Sequence, residues 1–125
     1  MATFSKIAFQ PTTMTTGTGL GTLVVATATL GTTIHTAANV ATTIDEVWIY
    51  ANNTHTTAVT LTIEFGGVAA KDKIQQSIAL SPSGLTLVCA GLLLQGNATP
   101  KVITAFCATQ ASVVSLFGFV NRITA

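Results

Sequence analysis

The side chains able to do chemistry are few and scattered along this chain. Histidine occurs only at His35 and His55, cysteine only at Cys89 and Cys107, and Asp45-Glu46 is the only acidic pair. A metal centre needs three or four ligands at compatible spacing, and neither Cys-x-x-Cys nor His-x-x-x-His occurs. Neighbouring residues of a strand point to opposite faces, so Asp45 and Glu46 cannot serve one substrate as acid and base. Apolar surroundings disfavour a thiolate, which argues against a Cys-His nucleophile at either cysteine. No glycine cluster has the spacing of a phosphate cradle. The sequence therefore predicts no catalytic residue, no metal ligand and no cofactor site. Both histidines read as surface or turn residues, and both cysteines as buried free thiols that behave as small hydrophobes.

One pair of residues has binding chemistry. Trp48 and Tyr50 lie two apart on an expected strand and share its face with Glu46, an arrangement that can stack against sugars or bases. No basic residue stands near them in sequence, which argues against nucleic acid. A carbohydrate platform is one reading of the pair; an aromatic contact in the core or between subunits is the other.

Composition narrows the classes further. Only 7% of the residues are charged, against about 25% in an ordinary soluble domain. Apolar residues make up 49% and threonine 24 of the 125 positions, while the formal net charge is +1. Such a chain has no basic field for phosphate and no acidic field for cations. So little charge favours association, so a homo-oligomer is expected, with a monomer whose surface threonines hold water as the alternative. The length suffices for one domain with its own core. No run reaches the ~18 apolar residues of a spanning helix, the aromatic girdles of a membrane barrel are missing, and no secretion signal is evident. The expectation is a protein made in a reducing cytosol, without a membrane partner.

Threonine alternating with Val, Ile and Leu suits pleated strands. Phe4, Ile7 and Phe9 form a short apolar patch and Gln10 to Gly19 lacks a usable period, so residues 1–20 read as an extended arm, with Phe4, Ile7, Phe9 and Met14 as candidate contacts to a neighbour; an edge strand followed by a long loop of the same domain is the other reading. From Gly21 onward strands are expected at Leu23 to Leu30, Thr32 to Val40, Ile44 to Ala51, Val59 to Phe65, Ile74 to Leu80, Leu85 to Leu94, Val102 to Thr109 and Val113 to Ile123. Val59, Leu61, Ile63 and Phe65 should face the core, and Thr60, Thr62 and Glu64 solvent or a partner. Ile44 to Phe65 reads as an antiparallel hairpin across Asn52-Asn53-Thr54-His55, with bulges expected near Ala90-Gly91 and at Gly118. The predicted fold is all-β: an antiparallel two-sheet sandwich or jelly-roll-like barrel of about eight strands over residues 21–125.

Three segments carry a resemblance. Ile44-Asp45-Glu46-Val47-Trp48-Ile49-Tyr50-Ala51-Asn52, the Leu85-to-Asn97 strand and turn behind Leu80-Ser81-Pro82-Ser83-Gly84, and Phe117-Gly118-Phe119-Val120-Asn121-Arg122-Ile123 resemble small β-sandwich proteins of tailed bacteriophage particles. The resemblance implies a non-enzymatic virion protein, most plausibly a capsid decoration or cement protein on the outer capsid surface. Its partner would be the major capsid protein or another virion protein, with Trp48 and Tyr50 added to the four arm residues as contacts, and its copies would associate around a symmetry axis as a trimer or dimer. The alternative it implies is a tail, neck or fibre module that binds a host-surface glycan or receptor.

Overall fold

The computed structural model describes residues 2–12, 17–79 and 84–125. Among them nine strands form two antiparallel sheets that share no ladder, a two-sheet sandwich. The first sheet has the order β1 (Thr3–Ile7), β9 (Val114–Thr124), β4 (Thr43–Asn53), β7 (Thr86–Gln95), and β2 (Thr22–Leu23) also pairs with β9. The second has the order β3 (Thr32–Thr36), β8 (Val102–Phe106), β5 (Val59–Phe65), β6 (Lys73–Ile78). A single 3-10 turn, Ala70–Asp72, precedes β6.

The alternation that predicts strands also sets the layers. In β4 every odd residue from Thr43 to Asn53 is buried and every even one is partly open. Its Val47, Ile49 and Ala51 meet Val114, Leu116 and Val120 of β9, and Leu61, Ile63, Ile78 and Ile103 of the second sheet close the core. Two such apolar rows, each unable to face water, are what press the sheets together.

That requirement overturns the expected hairpin. β4 pairs with β7 and β9, whereas β5 pairs with β6 and β8, so the Asn-rich turn carries the chain from one sheet to the other. The buried Asn53 holds this corner. Its Nδ2 donates to the carbonyls of Thr57 at 2.9 Å and Ile78 at 3.0 Å, and its Oδ1 accepts the His55 N–H at 2.8 Å.

Three other expectations change and one holds. Of the strand predicted at Leu23 to Leu30 only Leu23 joins a ladder, as the second residue of β2; the following residues form a strap held by Val24 N–H to the Val114 carbonyl and Cys107 N–H to the Ala26 carbonyl. The strap explains why Glu64 is buried rather than facing solvent: Thr29 Oγ1 and the Gly31 N–H donate to its carboxylate from outside, at 2.6 and 2.9 Å. The bulge predicted at Gly91 is present, since Val47 opposes Leu92 and Trp48 opposes Ala90, with a second shift near Val88. Gly118 is no bulge, because the β4–β9 register runs unbroken past it.

Near the N-terminus the chain is extended, as expected, but docked. β1 pairs along β9 from Thr3 opposite Thr124 to Ile7 opposite Val120, and Phe9 is buried in the core. Met14 lies outside the described residues, as do Ser81, Pro82 and Ser83 of the expected turn.

Candidate binding face

Among the described residues, one polar group of side chains lies inside the sandwich across β3, β4 and β9, and another lies on its surface. The inner one corrects the reading of His35, which is buried rather than at the surface. Its Nε2 donates to Asp45 Oδ2 at 2.7 Å, and its Nδ1 accepts the Gln10 backbone N–H at 2.9 Å. That second bond fixes the proton on Nε2 and leaves the ring neutral. Arg122 completes the group with Nε to Asp45 Oδ1 at 2.7 Å and Nη2 to Oδ2 at 2.8 Å, a bidentate clasp. Burial would push the Asp45 carboxyl up, but the hydrogen bonds from Arg122 and His35 outweigh it and hold the group below its ordinary value.

The chemistry of this group is structural. Both oxygens of Asp45 and both ring nitrogens of His35 are engaged, and the cluster ties β3, β4, β9 and the Gln10 backbone together. Period two could have found part of it: Asp45 shares parity with Val47 and Ile49, and Arg122 with Val120, so the β4 and β9 inner rows carry opposite charges. His35 escapes that reasoning because the β3 register shifts between Thr33 and His35. Glu64 is a second buried acid. Burial raises it, but donors from Thr104, Thr29 and Gly31, with Lys73 nearby, bring it below its ordinary value.

The outer group is the even-numbered row of β4 and everything beside it. Ile44 opposes Ile123, Glu46 opposes Asn121, Trp48 opposes Phe119 and Tyr50 opposes Phe117. On the far side of β9, Phe4 opposes Ile123 and Lys6 opposes Asn121. On the far side of β4, Leu93 stands beside Glu46, Ala90 beside Trp48 and Leu87 beside Tyr50. Partners in a ladder share a face, so these side chains form one continuous surface of four aromatic rings flanked by aliphatic groups and Phe4.

Geometry within the face is ordered. The Trp48 and Phe119 rings stack with centroids 6.0 Å apart and planes 14° apart. The Lys6 ammonium sits 4.5 Å above the Phe119 ring centre. Glu46 Oε1 accepts Trp48 Nε1 at 2.8 Å and Asn121 Nδ2 at 3.0 Å, bonds that lower its carboxyl below the ordinary value. Outward exposure is substantial, 73% for Phe4 and 62% for Leu93, so the surface is open to a partner.

Of the expected contact residues, Phe4, Trp48 and Tyr50 come together here. Ile7 and Phe9 do not: Ile7 packs against the core from the inner side of β1, and Phe9 is part of the core itself. Phe9 turns inward because Gly118 leaves a gap for its ring; a Cβ on Gly118 would lie 2.8 Å from Phe9 Cζ. Sequence reasoning missed Phe117, Phe119 and Ile123, although their alternation with Leu116, Val120 and Arg122 was a readable signal. Among the described residues no three His, Cys, Asp or Glu side chains gather to hold a metal ion, and no helix is long and apolar enough to cross a membrane. A cleft of about 390 Å³ between Phe9, Leu20, Ile34 and Gly118 is lined by no charged side chain. The chain matches no protein-family model, no curated protein and no solved structure.

Proposed function

We propose that this chain is a non-enzymatic structural protein of a tailed-phage particle, a decoration or cement protein on the outer capsid surface that holds neighbouring subunits together. The observation that carries this reading is the outer face of the five-stranded sheet. Monomeric soluble proteins rarely expose contiguous apolar patches beyond a few hundred Å², and aromatic rings with few charges are the composition of interface cores. The buried ionisable groups are consumed in holding the sandwich, which suits a rigid scaffold that presents a surface. Resemblance of the β4, β7 and β9 segments to phage β-sandwich proteins supports the same assignment, with the major capsid protein or another virion protein as partner.

The test uses heads assembled without the protein. Purified full-length chain is expected to sediment with such heads, and Trp48→Ala or Phe117→Ser to stay in the supernatant while keeping the wild-type far-UV spectrum. Wild-type chain left in the supernatant overturns the reading. If glycans also change Trp48 emission, the tail or fibre module becomes the better assignment.

A further inference from the structure

We propose that the outer face of the five-stranded sheet packs against the same face of a second copy, with Lys6 of each chain paired to Glu46 of the other. The proposal rests on the adhesive reading of that face and names its occupant.

The argument starts from one row of the ladder. Lys6, Asn121 and Glu46 stand opposite one another on β1, β9 and β4. Lys6 and Glu46 are the two charged residues of the face, one of each sign, with the neutral strand between them. Neither forms an ion pair within its own chain among the described residues. A half-turn about an axis lying in the face along β9 carries β1 over β4 and leaves the row at its own level. Each Lys6 then meets the other chain's Glu46, twice over, without any further adjustment. A partner of another kind would have to supply both charges at that spacing; a second copy supplies them by symmetry, and the interface closes on itself.

The same operation places β9 against its own copy. Phe117 and Phe119 then meet their counterparts, giving aromatic pairs at the centre and charges beside them, as in stable interfaces. The area is modest. β9 and β4, of eleven residues each, and β1, of five, at ~3.3 Å per residue and about 4.8 Å apart present on the order of 400 Å². Two copies therefore bury on the order of 800 Å², the size of a weak, concentration-dependent contact, so the charge pairing rather than the area selects the partner. Aligned sheet packing across ~10 Å is also what the twist of each sheet favours.

Light scattering on the full chain at micromolar concentration is expected to give a dimer. Lys6→Glu and Glu46→Lys each set like charges against each other twice and should each weaken dimerisation about ten-fold or more. Mixing the two single variants should restore it, because in the mixed pair both contacts again join opposite charges. An interaction inside one chain cannot be rescued by mixing. A monomeric wild type, single variants that dimerise like wild type, or a mixture that stays monomeric each overturns the proposal. Should Glu46→Lys fail to fold, dilution of wild type decides. Trp48 is the only tryptophan, so its emission should shift red as the dimer dissociates, and constant emission overturns the contact. A monomer that still sediments with heads removes this proposal alone. A dimer that leaves heads unbound removes the particle assignment alone.

Discussion

Arg122 clasps Asp45 across the β4–β9 ladder through two hydrogen bonds of 2.7 and 2.8 Å, with both side chains buried. The pair is therefore worth most when judged by what its loss leaves behind. Asp45→Asn keeps the shape but leaves the guanidinium buried without its anion, which should cost about 3–5 kcal/mol. Removing both charges together, with Asp45→Leu and Arg122→Met, should be milder, because no uncompensated ion remains and the loss is that of the acceptor of the buried His35 Nε2–H, about 1–3 kcal/mol. Urea unfolding of the two variants checks the order; a double variant less stable than Asp45→Asn contradicts it.

Stability should fall as the solution is acidified, and the sign follows from Asp45 and Glu64. Both carboxyls sit below their ordinary values of 3.8 and 4.5 in the folded chain. The unfolded chain thus takes up protons first, and their contribution is fully present above the ordinary carboxyl range. It is lost as pH drops from that range through the lower folded values. Urea midpoints should be level between pH 6 and 7 and fall below about pH 4.5. Glu64→Gln should flatten part of that fall; an unchanged acid limb would show that Glu64 is not a source of it.

Gly118 and Gly91 both lie beside Trp48, yet substitution should separate them. A Cβ on Gly118 would stand 2.0 Å from the Trp48 carbonyl oxygen, which is backbone in the middle of a ladder, whereas on Gly91 it would meet Trp48 Cζ2 at 3.1 Å. The first contact can be relieved only by parting β9 from β4. The second asks a ring edge to move slightly, with the cost of a positive φ of 71°. Gly118→Ala should lose more than about 3 kcal/mol and Gly91→Ala about 1 kcal/mol. Thermal melts of the two variants give the comparison, and equal losses would refute the ladder argument.

The strands and both layers were legible because alternation is strict where one face is buried, as in β4. The sheet to which each strand belongs was not. Asn52 to His55 is good turn chemistry for a hairpin, and only the inner row on each side of it, too apolar to lie in one sheet, forces the corner instead. Glu64 shows the same limit: its parity with Thr60 and Thr62 was read correctly, but a strap from thirty-odd residues earlier decides what lies outside that row. Within the site, Trp48 and Tyr50 were found from their own strand. Their β9 neighbours needed the pairing, and Phe9 needed the gap at Gly118.

The cysteines give a test of how closed the sandwich is. Cys89 projects from β7 into the core and its Sγ lies 3.4 Å from the Val47 carbonyl oxygen; Cys107 follows β8, and both are free and buried. Burial raises both thiols, Cys107 to about 11. At pH 8 each is therefore held as the unreactive thiol, and a reagent must wait for the structure to open. Folded protein should leave an aromatic disulfide reagent unconsumed over minutes, and unfolding in denaturant should release two equivalents, matching the two cysteines. β7 is an edge strand and Cys107 is covered by the strap around Ala26, so the sites need not open together. Reaction of Cys107 well before Cys89 under mild denaturant would show that the strap frays ahead of the sheet. If the two thiols react together at the rate of global unfolding, strap and sheet form one cooperative unit.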